Sequence, residues 1–217
     1  MNQIYERHLW GGTDFDFYSG YGSHQFDIVN PYVESVIEFL KSHEQKLSIC
    51  DLGCGDFNVG QHLVVYSKTY TAIDIVDDLI ERNKQQFQDP KLEFQCLNIV
   101  EDDLPKSDIV ILRQVLQHLS NAEIMKIVEK LSQYRFIILT EHIPVGDFIS
   151  NKDIITGQGI RLKQNSGVDV LAEPFGLQIK EETVLNTVIL EDGKEQITTI
   201  VYKINNLNTI LSSEGRT

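Results

Sequence analysis

Apolar positions along the chain follow two rhythms. Short apolar-rich runs occur at 47–51, 70–75, 92–97, 108–112 and 135–140, the third alternating in part and the fourth unbroken after Asp108. Unbroken runs of this length suit strands covered on both faces. Between them lie stripes at helical spacing. Val33, Val36, Ile37 and Leu40 form one, and Ile124, Ile127, Val128 and Leu131 form another. Each puts an apolar band on one side of a helix. Asn30-Pro31 predicts the first helix start, because an Asn can cap and a proline needs no donor in the first turn. Ser120-Asn121-Ala122-Glu123 has the capping-box pattern before the second stripe. Further helices are predicted at about 58–66 and 77–88. Near the end, 177–184 and 196–204 predict strands, and Asp192-Gly193 predicts a hairpin turn between 187–190 and the last strand. Five strands alternating with helices, then strands close together, predict an α/β fold. Its sheet should have seven mostly parallel strands with an antiparallel edge strand.

The regions outside this alternation are irregular. Residues 1–28 are rich in aromatics and glycine, including Trp10-Gly11-Gly12 and Ser19-Gly20-Tyr21-Gly22-Ser23-His24. They predict an N-terminal arm, either docked on the surface or closing as a flap over the site. Residues 29–206 form the main domain, and 207–217 a tail. Within the domain, 143–175 contains Pro144, Gly146, Gly157, Gly159 and Gly167, a long irregular stretch of the kind that often carries function.

The candidate chemistry starts where the first run ends. Leu47-Ser-Ile-Cys-Asp51 leads into Leu52-Gly53-Cys54-Gly55-Asp56-Phe57-Asn58. Glycines at alternate positions after a strand let the backbone turn tightly and approach a ligand closely. The second run carries Asp74, at the spacing of a carboxylate that accepts hydrogen bonds from a ribose. A nucleoside-containing cofactor is therefore predicted over the ends of the first two strands. A dinucleotide favours a third glycine for its pyrophosphate, but Asn58 stands there, and Asp56 would repel a phosphate. S-adenosylmethionine has no phosphate and carries an ammonium and a sulfonium, which suit the acidic rim.

Asp51-x-Gly53-x-Gly55 also resembles the first motif of class I S-adenosylmethionine-dependent methyltransferases. The usual small residue two positions after the second glycine is Phe57 here. Cys54-Gly55-Asp56-Phe57-Asn58, Asp74-Ile75-Val76, Leu104-Pro105, Arg113, His118-Leu119-Ser120, Asn151-x-Asp153 and Arg161 resemble one bacterial branch of that family over residues 18–175. The resemblance implies the Rossmann-like fold and the cofactor, and no settled substrate. It also favours the flap reading of the arm. By the same resemblance Arg113-Gln114 flanks the methyl donor, unless the arginine is structural. Asn98 and Ile99 lie beside the adenine, unless Asn98 only caps a turn. Asp51, Gly53, Gly55, Asp56, Asn58, Asp74 and Ile75 complete the predicted cofactor set.

Composition narrows the partners. The formal net charge is −13, which disfavours a nucleic-acid substrate because phosphate backbones draw on Lys and Arg. Three cysteines, Cys50, Cys54 and Cys96, are too few for a disulfide framework, and no Cys/His set predicts a metal. No signal segment or membrane-length run is present, so a cytoplasmic protein is expected. The pattern specifies no oligomeric state. Three functions fit: a methyltransferase acting on an oxygen or nitrogen atom of a small molecule, an NAD-linked oxidoreductase, or a non-catalytic S-adenosylmethionine-binding module. If a base is needed, His118 is the first candidate, with packing before the Ser120 helix as its alternative. Glu141 and His142 follow strand five and are the others, or form a salt-bridged loop. Arg161 could hold an anionic acceptor, or pair with Asp153 and pin the loop.

Overall fold

The computed structural model describes residues 17–205. Trp10-Gly11-Gly12 of the arm and the whole tail at 207–217 lie outside those residues. The elements are α1 (Phe26–Lys41), β1 (Ile49–Leu52), β2 (Tyr70–Asp74), α2 (Asp77–Gln86), β3 (Leu92–Cys96), β4 (Ile109–Arg113), α3 (Asn121–Leu131), β5 (Phe136–Pro144), β6 (Ile179–Ile189) and β7 (Glu195–Ile204). The strands form one sheet in the order β3-β2-β1-β4-β5-β7-β6. β1 pairs in parallel with both β2 and β4, so the strand order reverses between β1 and β4. Such a switch point opens a crevice beyond the carboxyl ends of the strands. β7 is the antiparallel strand, and it lies one place in from the edge, between β5 and β6.

Two apolar layers cover the sheet. α3 buries Ile124, Ile127, Val128 and Leu131 on one face, against Leu52, Leu112, Leu116 and Ile137. α1 buries Tyr32, Val36 and Leu40 on the other, with Phe57, Leu63, Ile111 and Ile138. The predicted capping box forms: Glu123 N donates to Ser120 Oγ, and Ser120 N donates to Glu123 Oε2 at 3.0 Å.

Three local expectations are corrected. α1 begins at Phe26 rather than Asn30, and Pro31 lies inside it. Burial of Ile28 and Tyr32 extends the apolar stripe one turn earlier. That gain outweighs the single bond Pro31 cannot donate. The predicted helix at 58–66 is instead two 3-10 turns, Gly60–His62 and Val64–Tyr66. Glycine and adjacent β-branched valines weaken an α-helix there. The segment from 179 to 189 is one strand whose register shifts twice against β7, not two short strands. Among the described residues, no helix is long and apolar enough to cross a membrane.

Candidate active site

The turn after β1 shapes the site. Gly53 and Gly55 have φ of +77° and +55°, values that side-chain-bearing residues adopt with strain. A Cβ on Gly53 would sit 2.5 Å from Val115 Cγ2. Phe57 also adopts positive φ, at 61°. It is fully buried and meets Tyr70, Phe87 and Phe94 edge to face. The bulky residue at a normally small position therefore anchors the turn to the core instead of crowding the ligand side.

The turn opens on a cavity of about 440 Å³ along the carboxyl edge of the sheet. Of the predicted cofactor residues, Gly53, Gly55, Asp74, Ile75, Asn98, Ile99, Arg113 and Gln114 line it. Asp74 accepts from Gly55 N and Val76 N, both at 3.1 Å. Burial raises its pKa, and these N–H groups oppose the rise. A carboxylate has further lone pairs available for hydroxyl donors. Asn98 Oδ1 accepts from Val100 N at 3.0 Å, so it caps a turn while lining the cavity.

Asp51, Asp56 and Asn58 do not line this cavity. Asp51 is buried behind the glycine turn, accepting from the Tyr70 hydroxyl at 2.8 Å. Burial pushes its pKa up to about 6, against the opposing pull of that hydrogen bond and of Arg113. Asp56 and Asn58 face the arm. Ser19 N donates to Asp56 Oδ2 at 3.0 Å, Asp56 N donates back to Ser19 Oγ at 2.7 Å, and His24 Nε2 lies 2.6 Å from Asp56 Oδ2. Asn58 Nδ2 donates to Ser23 O at 2.7 Å. Arg113 completes the clasp. Its Nη2 donates to Gly22 O at 2.6 Å, and its guanidinium lies 4.9 Å from the Tyr32 ring centroid. Ser19, Gly20, Gly22 and Ser23 thereby become walls of the cavity. The acid that seemed to bar a phosphate is a latch for the arm.

The three base candidates separate. Glu141 is buried and does not line the cavity, because neighbouring strand residues point to opposite faces. Burial pushes its pKa up to about 8, against the opposing effect of Arg161. His118 lines the cavity, but it is built into the wall. Gln117 Oε1 accepts from His142 N at 3.1 Å, which turns the Gln117 amide nitrogen toward His118 Nε2, 3.3 Å away. Nε2 is then the acceptor, so a neutral ring carries its proton on Nδ1. Burial pushes the His118 pKa down to about 4, although the carbonyls of 157–159 favour the charged form. His142 lines the cavity with its Nε2 3.0 Å from Glu195 Oε2.

Arg161 is buried and holds the loop to the wall. It donates to the carbonyls of Lys152, Leu116, Gln117 and Leu119 and to Asn121 Oδ1. It makes no hydrogen bond to Asp153, whose Oδ1 accepts from Asn121 N instead. Gln117, Glu123, Thr156, Leu190 and Ile197 also line the cavity and escape a reading of the sequence. Gln117 adjoins a flagged histidine, but the others come from a cap, a loop and a hairpin that only folding brings together.

Residues 50–134 match the family model described as a methyltransferase domain. No curated protein sequence matches the chain. Among solved structures, the N-methyltransferase NodS from Bradyrhizobium japonicum WM9 with S-adenosyl-L-homocysteine is similar at TM-score 0.64 and 11% identity. The alignment covers 94% of this chain and 98% of that one. Magnesium protoporphyrin IX methyltransferase from Synechocystis PCC 6803 with bound SAM is similar at TM-score 0.54 and 20% identity, covering 93% and 97%. Human N-acetylserotonin methyltransferase with SAM gives 0.52 and 16%, covering 81% of this chain and 55% of that one. Residues 50–134 thus match a methyltransferase-domain model, and the fold is one that solved S-adenosylmethionine-dependent methyltransferases share.

Proposed function

We propose that this protein transfers a methyl group from S-adenosylmethionine to an oxygen or nitrogen atom of a small molecule held in the 440 Å³ cavity. The observation that carries the proposal is Asp74, a cavity-lining carboxylate fixed by two backbone N–H groups at the end of β2. When bound, the cofactor supplies a sulfonium-activated methyl group. Asp74 would accept from the ribose hydroxyls, and Gly53 and Gly55 leave room for close backbone approach. Ile75, Asn98 and Ile99 would hold the adenine. The arm from Ser19 to Ser23 would keep water from the reacting atoms. Alignment of donor and acceptor can supply much of the rate of such a displacement. Resemblance to the CGDFN branch of class I enzymes agrees with this assignment.

An NAD-linked activity is disfavoured because Asn58, where a third glycine would serve a pyrophosphate, is tied to Ser23. A net charge of −13 disfavours nucleic acid as the acceptor. Calorimetry with S-adenosylmethionine and NAD tests the assignment. S-adenosylmethionine should bind and NAD should not. Asp74→Ala should weaken binding by about 1–3 kcal/mol, through loss of hydrogen bonds to a charged group. Binding of NAD alone, or unchanged affinity in Asp74→Ala, would overturn it. Cofactor binding without methyl release on a broad acceptor panel would favour a non-catalytic binding module.

A further inference from the structure

We propose that the acceptor is an amine entering as its ammonium ion, and that His142, held by Glu195, receives its proton. This rests on the methyltransferase reading above. The cavity runs from Asp74 on β2 to His142 on β5 and Ile197 on β7. With β1 and β4 between them, β2 and β5 are three strand spacings apart, roughly 14 Å. An acceptor therefore falls at the β5–β7 end, among Gln117, Glu123, His142, Leu190 and Ile197.

Among the described residues, that end has no cation free for an anionic acceptor. No lysine among the described residues lines the cavity, and the one arginine that does, Arg113, is engaged by Gly22, Ser23 and the Tyr32 ring. Arg161 directs its donors to carbonyls and Asn121. His118 is neutral near physiological pH. Negative charge, by contrast, is fixed there. Burial pushes the Glu123 carboxyl up, but hydrogen bonds from Ser120 and Thr156 outweigh it and hold it below its ordinary range. Those bonds all fall on Oε2. An ammonium meets Glu123 and the carboxylate behind His142, both of which repel a carboxylate or phosphate.

His142 supplies the base an ammonium requires. Its Nε2 lies 3.0 Å from Glu195 Oε2, in a contact bent away from a straight hydrogen bond. A carboxylate there favours the Nε2–H tautomer and leaves Nδ1 to take a proton. The charged groups facing His142 are Glu195 and Asp192. Both favour its protonated form, but burial prevails and keeps its pKa below the ordinary value. In the step itself, the ammonium proton passes to His142 Nδ1. The freed nitrogen lone pair forms the bond to the methyl carbon. The carbon–sulfur pair stays on sulfur, which becomes a neutral thioether. The product leaves as a methylammonium, and His142 returns its proton to water.

The test uses protein saturated with S-adenosylhomocysteine and three probes that share a phenylethyl group and differ in its polar end: 2-phenylethylamine, 2-phenylethanol and 3-phenylpropionate. NMR titration should show the amine binding about fivefold tighter than the carboxylate, the upper scale of one partly exposed ion pair, and shifting the His142 ring signals. Glu123→Gln should erase most of that preference. Equal or tighter binding of the carboxylate, or no binding by any probe, would overturn the proposal. In cofactor-free protein, Glu195→Gln should lower the His142 pKa read by NMR, and an unmoved value would overturn the pairing. Failure of S-adenosylhomocysteine itself to bind would instead count against the cofactor assignment, while the His142 titration still decides the pairing.

Discussion

Replacing Glu141 with glutamine should stabilise the protein, most at neutral and alkaline pH. Neither carboxyl oxygen of Glu141 makes a well-formed hydrogen bond among the described residues, although the N–H groups of Leu116 and Gln117 face it, and the side chain is buried. Burial pushes its pKa from 4.5 up to about 8, with Arg161 and the N–H groups of Leu116 and Gln117 opposing. A folded-state pKa above the unfolded one means that stability is full below pH 4.5. It is lost as pH rises toward 8, because folding must then hold the proton or bury a charge. The resulting cost is about 3 kcal/mol at pH 7, reaching a limit of about 5 kcal/mol above pH 8. Glutamine has nearly the same shape and no charge, so it removes that cost. Urea unfolding of both proteins at pH 5, 6, 7 and 8 measures the effect. Other groups titrate in this window, including Asp51 with its pKa near 6, but they are common to both proteins and largely cancel in the difference. The gap should open from about 1 kcal/mol at pH 5 to about 3 kcal/mol at pH 7. A Glu141→Gln variant less stable than the parent at pH 7 would refute the reasoning. It would mean that Glu141 is ionised and paired with Arg161, whose charge would then be left without a partner.

Two further outcomes follow from the turn and the arm. Gly53→Val should abolish S-adenosylmethionine binding by calorimetry, since its side chain meets Val115 and its φ of +77° disfavours a branched residue; unchanged affinity in the folded variant would exclude this turn from the site. Asp56→Ala removes the acceptor for Ser19 N and His24, so hydrogen exchange across 19–24 should quicken while β1 and β4 stay protected; unchanged exchange would show that the arm is held by other contacts.

Resemblance and pattern made one half of the cavity lining legible. Gly53, Gly55, Asp74, Ile75, Asn98 and Ile99 all line the cavity, because each sits at or just past the carboxyl end of β1, β2 or β3. The same pattern could not tell which way Asp56 and Asn58 face, since their partners are 32 to 37 residues away in the arm. It also could not separate Glu141 from His142. They are neighbours in sequence on opposite faces of β5, and strand register alone sends one into the core and the other into the cavity.

What the sequence determined by itself is local and periodic. The apolar runs, the helical stripes and the Ser120 cap place the central strands and α3, because the partners that satisfy those patterns lie within one or two turns. The glycine turn and Asp74 belong to the same level. Tertiary structure decided the rest. The start of α1 depended on what Ile28 and Tyr32 could bury against, and the 3-10 turns after β1 on how Phe57 and Gly60 pack. The far end of the cavity depended on β7 inserting beside β5, which brings Glu195 to His142 across 53 residues of chain. Neither side chain alone encodes that pairing: it arises from a strand register stabilised by the whole sheet.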